Sequence, residues 1–187
     1  MLYLVRHGET AANVEGVFLG RADPPLTDLG RRQAAALAVA LPTPKRLVTS
    51  PLRRARETAA AFGVPAEIDD RWIELDYGEL EGTHPSAVPD DVRARWRSDP
   101  SYAPPGGESL ASLAARVRPA CEALVAAADL DDVVVVTHVS PVKSAIAWAL
   151  DVDDTVAWRM WVEDAAVARV GVGPDGPVLR SFNEHWP

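Results

Sequence analysis

The sequence predicts an α/β fold with a mostly parallel central sheet that is flanked by helices on both faces. Residues 2–5 and 133–136 form runs that are apolar throughout, which is typical of strands buried on both faces. Residues 46–49 form a weaker run of the same kind. Segments with apolar residues at helical spacing lie between these runs, so strands and helices alternate along the chain.

Helices are predicted over four segments: residues 29–41, 52–62, 109–127 and 140–150. Thr27 precedes the first helix, and Ser50 and Ser140, each followed by proline, are suitable N-caps for the second and fourth. Pro119 is expected to interrupt the third helix, because proline lacks the N–H that a helix interior needs. A closing pair of strands is predicted at residues 165–172 and 178–182, on either side of a turn rich in glycine and proline.

Length and composition exclude several classes of protein. The 187 residues fit one domain, and the net charge of −8 argues against a nucleic-acid partner, because phosphate binding needs a basic surface. No apolar run approaches the roughly 20 residues that span a bilayer, so no membrane partner is expected. The N-terminus lacks the basic region of a signal peptide, and Cys121 has no second cysteine for an internal disulfide. We therefore expect a cytoplasmic protein.

Polar clusters follow three of the predicted strands directly. Arg6 and His7 follow one strand, Ser50 and Arg54 follow another, and His138 follows a third. The carboxyl ends of parallel strands meet at one edge of a sheet, where helix N-termini favour anions. The two histidines and Arg54 are therefore expected to converge on an anion site.

The pair formed by Arg6 and His7 suits phosphoryl transfer. A guanidinium offers a planar fork for phosphate oxygens, and an imidazole nitrogen can attack phosphorus. Gly8 lets the backbone turn away without placing a side chain in the site. An isolated Arg-His pair is more often a surface feature, but here the motif extends through Glu-Thr to Asn13.

This extended motif, Arg-His-Gly-Glu-Thr-x-x-Asn at residues 6–13, resembles the signature of the histidine phosphatase superfamily in its phosphoglycerate mutase-like branch. Further matches to the family follow in the expected order and cover nearly the whole chain: residues 18–27, 50–59, 74–82, 105–109 and 136–138. The resemblance implies a phosphoglycerate mutase-like fold and a single histidine phosphatase domain over residues 1–187. It also implies phosphoryl transfer that requires neither a metal nor another cofactor.

The roles implied by the resemblance agree with the chemistry of phosphate esters. His7 is the nucleophile that is transiently phosphorylated, while Arg6, Arg54 and His138 hold the phosphoryl group. Charge-assisted donors of this kind stabilise a dianionic phosphoryl group in a dry site. The two converging arginines also argue against a metal ion, although His7, His138 and Glu74 are chemically suitable ligands.

Glu74 is the predicted general acid and base, which protonates the leaving alkoxide and then activates the water that attacks phosphohistidine. Glu79 and Glu81 lie nearby and are alternatives on sequence grounds. The resemblance favours Glu74, because the family's acid lies four residues before the glycine that corresponds to Gly78.

Further substrate contacts are predicted at five positions: Asn13, Gly20, Thr10, Tyr77 and Val139. Asn13 and Gly20 match phosphate-contacting positions of the family, whereas a structural role is equally expected for Thr10 and Tyr77. The family often has glycine after the second histidine, and Val139 departs from that pattern. This variant is similar to one found among small bacterial phosphatases, including α-ribazole-phosphatase-like members.

Three functions are open at this level: a phosphatase, a phosphoglycerate-type mutase and a catalytically silent binding module. The intact set of catalytic positions argues against the silent module. A mutase needs a lid that excludes water, whereas residues 82–106 form a short connection whose prolines are expected to limit helix content, and little chain follows the last predicted strand. We therefore expect hydrolysis of a small phosphorylated metabolite by a monomer or homodimer. Residues 83–104 are expected to set specificity. Packing is the default interpretation of the six tryptophans, and the alternative is that an exposed one such as Trp96 caps a pocket or a dimer face.

Overall fold

A six-stranded sheet forms the centre of the computed structural model, which describes residues 1–186. The strands are β1 (Leu2–Arg6), β2 (Arg46–Thr49), β3 (Ala66–Ile68), β4 (Val133–Thr137), β5 (Val167–Gly173) and β6 (Gly176–Glu184). Their order in the sheet is β3-β2-β4-β1-β5-β6. The first four strands pair in parallel, and β5 and β6 add an antiparallel edge next to β1. The predicted mostly parallel sheet is confirmed.

The helices lie mainly between the strands, as the alternating pattern predicted. They are α1 (Ala11–Glu15), α2 (Asp28–Ala40), α3 (Arg53–Ala60), α4 (Asp90–Ser98), α5 (Leu110–Leu130) and α6 (Val139–Leu150). Short 3-10 turns occur at Asp70–Trp72, Gly78–Leu80, Pro85–Ala87 and Asp154–Arg159. The sequence patterns did not predict α1, α4 or the short strand β3.

Successive side chains of β1 enter two different hydrophobic clusters. Leu2 and Leu4 pack in a cluster with side chains of α5 and α6, whereas Tyr3 and Val5 pack in a cluster with side chains of α2 and α3. Because neighbouring residues of a strand point to opposite faces, a strand covered on both faces must be apolar at every position. The helices therefore cover both faces of the sheet, as predicted.

Two helices begin at other residues than predicted, and both differences affect the site. α3 begins at Arg53, so Ser50 lies before the helix rather than at its N-cap. α6 begins at Val139, which makes His138 its N-cap residue and places Ser140 in the first turn. The predicted serine caps are therefore wrong, because these two hydroxyls form hydrogen bonds with other side chains at the site.

Proline limits helix formation less than predicted. α5 runs through Pro119 without interruption, because burial of one helix face outweighs a single missing hydrogen bond. In the connection between residues 82 and 106, Pro89 precedes α4 and Pro100 follows it, so neither ring interrupts the helix.

Candidate active site

The side chains that were predicted to form an anion site converge at the carboxyl edge of the parallel strands. His7 directly follows β1 and His138 directly follows β4, and their ring centroids lie 5.0 Å apart. Arg54, the second residue of α3, is fully buried between them. The backbone N–H of His7 donates to the carbonyl of Thr137 at 2.9 Å, which extends the pairing of β1 and β4 by one residue. The structure thus brings together the three side chains that the sequence placed at separate strand ends.

Arg54 fixes which nitrogen of each imidazole carries the proton. Its Nε donates to Nε2 of His7 at 3.1 Å and to Nδ1 of His138 at 3.2 Å. A guanidinium can only donate, so both of these ring nitrogens must present lone pairs. His7 therefore carries its proton on Nδ1, which donates to the carbonyl of Gly8 at 2.7 Å. His138 carries its proton on Nε2, which donates to Oγ of Ser50 at 2.7 Å.

Both imidazoles are neutral at neutral pH. Burial lowers the pKa of His7 and of His138 well below 6.5, and the positive charges of Arg54 and Arg6 lower both further. A neutral His7 with its proton on Nδ1 presents the Nε2 lone pair to the site. This is the protonation state that a histidine nucleophile requires.

Two nitrogens of the Arg6 guanidinium have partners, and the third has none among the described residues. Its Nη1 donates to the carbonyl of Val162 at 2.6 Å, and its Nη2 forms an ion pair with Asp164 at 2.7 Å. Its Nε is buried and has no partner among the described residues. One buried N–H of Arg6 therefore lacks a hydrogen-bond acceptor within residues 1–186. No sequence motif marks Asp164, and the sequence analysis missed it.

Glu74 lies between the 3-10 turns at Asp70–Trp72 and Gly78–Leu80, is 1% exposed, and directs its carboxyl group to the first turn of α6. Its Oε1 accepts from the backbone N–H of Leu75 at 2.7 Å and from that of Ser140 at 3.3 Å. Burial raises the pKa of Glu74 and outweighs these hydrogen bonds, which act in the opposite direction. A carboxyl group that retains its proton to a higher pH is suited to act as a general acid.

The alternative acids are placed differently. Glu79 is exposed, and Glu81 accepts from the backbone N–H groups of Gly20 at 2.9 Å and Arg21 at 3.0 Å. Neither side chain lines the cleft that contains His7. The geometry therefore favours Glu74 as the acid.

The cleft beside His7 has a volume of about 310 Å³ and is partly aromatic. Its lining includes the ring of Phe18, which packs against Tyr77 and Trp96 with centroids 4.8 and 5.6 Å away. Trp96 is only 2% exposed, so it is packed, in agreement with the default interpretation, and the alternative of an exposed ring is wrong. It packs edge-on against Trp158, and burial of this large ring stabilises the wall of the cleft.

Three of the five predicted substrate contacts line the cleft, namely Asn13, Tyr77 and Val139. Thr10 does not, because its side chain and Asn13 form the capping box of α1. Gly20 does not line it either, but its carbonyl accepts from Arg54 at 2.8 Å. A Cβ atom at Gly20 would lie 2.7 Å from a backbone oxygen, so only glycine fits beside this chain segment.

Several polar residues of the site were missed by the sequence analysis. Ser50 accepts from His138, and Thr58 Oγ1 accepts from the backbone N–H of Gly8 at 3.0 Å. Oγ of Ser140 lies 3.3 Å from the hydroxyl of Tyr77. The two serines were interpreted as helix caps, and Thr58 lies within a helix, so their sequence positions gave no sign of these contacts.

Paired histidines around a buried arginine, at the carboxyl edge of a mostly parallel sheet, are features of an α/β protein that transfers phosphoryl groups. The sequence profile of the histidine phosphatase superfamily (branch 1) matches residues 2–185. The chain therefore belongs to this superfamily, as its motifs indicated.

Similar proteins include several named phosphatases. A bifunctional protein of Mycobacterium tuberculosis is 34% identical over 185 residues, which cover 94% of this chain but only 51% of that protein. This chain thus spans about half the length of that relative. Phosphoserine phosphatase 1 of Hydrogenobacter thermophilus is 35% identical, over 97% of this chain and 91% of its own.

Solved structures agree with the sequence matches. The complex of a mycobacterial glucosyl-3-phosphoglycerate phosphatase with VO3 has a TM-score of 0.86 and 31% identity, over 97% of this chain and 98% of that one. α-Ribazole phosphatases also have this fold, in line with the resemblance seen around Val139. Within residues 1–186, no helix is long and apolar enough to cross a membrane.

Proposed function

We propose that this chain is a phosphomonoesterase that hydrolyses a small phosphorylated metabolite through a phosphohistidine on His7. The observation that carries the proposal is the neutral imidazole of His7, whose Nε2 lone pair lies beside the guanidinium of Arg54. The phosphatase names of the relatives support the activity.

We also propose that residues 1–187 form one histidine phosphatase domain, located in the cytoplasm and acting as a monomer or homodimer. The central position of β1, which pairs with β4 and β5 from the second half of the chain, supports a single domain.

The first half-reaction forms the bond between His7 and phosphorus. Nε2 of His7 attacks, and the bond to the leaving oxygen breaks as Glu74 gives that oxygen its proton. The Nε–H of Arg54, which now contacts both imidazoles, turns to the phosphoryl oxygens, together with the Nε–H of Arg6. A phosphoryl dianion beside His138 raises the pKa of that imidazole, which can then donate from Nδ1 as well.

The second half-reaction returns the enzyme to its starting state. Glu74, now a carboxylate, takes a proton from water as the water oxygen attacks phosphorus. The bond between His7 and phosphorus breaks, and inorganic phosphate leaves. Glu74 holds a proton again and His7 is again neutral, so protons and charges balance over the cycle.

A screen of the purified protein against a panel of phosphomonoesters, with free phosphate as the readout, tests the activity. The mutase alternative is tested with 3-phosphoglycerate in the presence and absence of 2,3-bisphosphoglycerate. We expect phosphate release without the bisphosphate. Formation of 2-phosphoglycerate that depends on the bisphosphate, and is faster than phosphate release from any substrate of the panel, contradicts the proposal.

We expect prolonged EDTA treatment to leave the rate of hydrolysis unchanged, because arginines supply the positive charge that a metal ion supplies in other phosphatases. No cluster of three or more metal-binding side chains occurs within the described part of the chain. The measurement is the initial rate with p-nitrophenyl phosphate before and after chelation. A loss of rate that zinc or manganese restores rules out this site chemistry.

A further inference from the structure

We infer that Lys143 forms a subsite for a second anionic group, carried by the leaving-group part of the substrate. This inference rests on the proposed phosphomonoesterase activity and adds a substrate class to it. Lys143 lies on α6, one turn beyond Val139, and both side chains line the cleft that contains His7. Nothing in the sequence analysis singled out this lysine.

The ammonium group of Lys143 has no partner although it is half-buried. Among the residues that the structure describes, it takes part in no hydrogen bond and no ion pair. Burial has the largest effect on its pKa, followed by the charges of Glu74 and Arg6. Burial lowers the pKa of Lys143, which shows that its surroundings do not fully replace the lost hydration. A cation left in this state is stabilised by any anion that enters the cleft.

The other cations around the cleft are already engaged. Arg6 forms an ion pair with Asp164 at 2.7 Å, and Arg54 donates to two backbone carbonyls as well as to both imidazoles. The charge of Glu74 raises the pKa of Lys143, but no ion pair joins these two side chains among the described residues. Lys143 is therefore a cation of the cleft that has no ion-pair partner within residues 1–186.

The position of Lys143 indicates which part of the substrate it meets. The phosphoryl group belongs beside His7 and Arg54, at the start of α6. Lys143 lies roughly 6 Å further along the axis of that helix than Val139. The cleft is also lined by Trp158, which lies in the 3-10 turn Asp154–Arg159, and this turn packs against α6. An anion bound here would lie on the leaving group, as a carboxylate or a second phosphate.

Two pairs of matched substrates test this subsite and distinguish the two anions. 3-Phosphoglycerate and glycerol 3-phosphate differ only in a carboxylate that replaces a hydroxymethyl group. Glucose 1,6-bisphosphate and glucose 6-phosphate differ in a second phosphate. We expect the wild-type protein to have the higher kcat/KM for the more anionic member of at least one pair.

Substitution of the lysine should remove that preference. In Lys143→Met the ratio of kcat/KM values within the preferred pair should fall roughly 10- to 100-fold, the range expected for loss of one charged hydrogen bond. Lys143→Arg keeps the charge and should retain most of the preference. Lys45→Met is the matched control, because Lys45 is the only other lysine of the chain. It is exposed and directly precedes β2, whereas the site lies where β2 ends.

The outcomes are distinguishable. Equal losses on both members of a pair in Lys143→Met show that the lysine contacts the phosphoryl group, and the subsite is then wrong. If the wild-type protein hydrolyses p-nitrophenyl phosphate but prefers neither anion, the subsite fails while the proposed function stands. If it hydrolyses no phosphomonoester at all, both fail.

A different observation assigns Arg116 as a positioning residue for Glu74. The guanidinium of Arg116, on α5, donates to the carbonyls of Arg71 and Ile73 at 2.7 Å each and to that of Glu74 at 3.2 Å. Nε and Nη2 also donate to the two carboxylate oxygens of Glu108 at 2.8 Å each. One side chain thus fixes the backbone of the segment that carries the proposed acid.

The dependence of rate on the leaving group tests this role. In Arg116→Gln we expect kcat/KM for an alkyl phosphate to fall roughly 10- to 100-fold more than kcat/KM for p-nitrophenyl phosphate, because displacement of Glu74 impairs protonation of the poorer leaving group in the first half-reaction. Arg118→Gln is the control, since Arg118 lies on the same helix and pairs with Asp154 at 2.9 Å. Arg116→Lys should show the same effect in weaker form. It replaces Arg116→Gln in the test if the glutamine variant does not fold. Equal losses on both substrates in the folded variant contradict the inference.

Discussion

Replacing His7 with alanine is expected to reduce kcat to below about a thousandth of the wild-type value, because the covalent intermediate needs an imidazole nitrogen. The other groups around the phosphoryl group are unaffected, but in the proposed mechanism they hold it and do not form the bond to phosphorus. Arg54 keeps its hydrogen bond to His138 and its two bonds to backbone carbonyls, so the fold should persist.

Three measurements check this expectation. The rate is measured with p-nitrophenyl phosphate, the fold by circular dichroism and thermal unfolding, and the intermediate by rapid quench with labelled substrate. The wild-type protein should give a phosphoenzyme that is labile to acid and stable to base, and His7→Ala should give none. His185→Ala is the control, because His185 is exposed and lies outside the cleft. Substantial turnover by a folded His7→Ala protein excludes the mechanism.

Glu74→Gln is expected to lose activity according to the leaving group. With alkyl phosphates we expect a loss of about 100- to 10,000-fold, which is the usual contribution of a general acid. With p-nitrophenyl phosphate the first step needs little protonation, so the loss should be smaller. Glu79→Gln, at an exposed position, serves as the control. Equal losses on both substrates in Glu74→Gln mean that another group is the acid.

The same variant has a predicted effect on stability. Burial raises the pKa of Glu74, so the folded protein binds this proton more tightly than the unfolded chain does. The wild-type protein therefore loses stability from this group as the pH rises from about 4.5 through the pKa of the folded state, and glutamine does not titrate. The Tm of Glu74→Gln minus that of the wild type should increase with pH across this window. A constant or decreasing difference contradicts the raised pKa.

Burial has the opposite effect on the pKa values of the two histidines, and therefore on how stability depends on pH. The pKa values of His7 and His138 are lowered in the folded state, so their contribution to stability is present above about pH 6.5 and is lost as the pH falls. Both histidines are present in the wild type and in Glu74→Gln. Their effect therefore largely cancels when the two proteins are compared at each pH.

The sequence alone was enough to predict the fold class and the convergence of His7, Arg54 and His138 at one edge of the sheet. The apolar runs that became β1 and β4 predicted buried parallel strands, since only such strands are apolar on both faces. The carboxyl ends of parallel strands share one edge, so the sequence positions of His7, Arg54 and His138 were enough to predict their convergence. The motifs also indicated the superfamily, to which the chain belongs.

Only the tertiary structure decided the hydrogen bonds and the charges of the site. Ser50 and Ser140 looked like helix caps, but contacts across strands and helices gave their hydroxyls other partners. Arg6 forms an ion pair with Asp164, which lies more than a hundred positions away in the sequence. The ammonium of Lys143, which has no partner within residues 1–186, is partly buried in the cleft. Sequence patterns report local backbone preference and which faces are apolar. Pairing of polar groups and loss of hydration arise only when distant segments pack together.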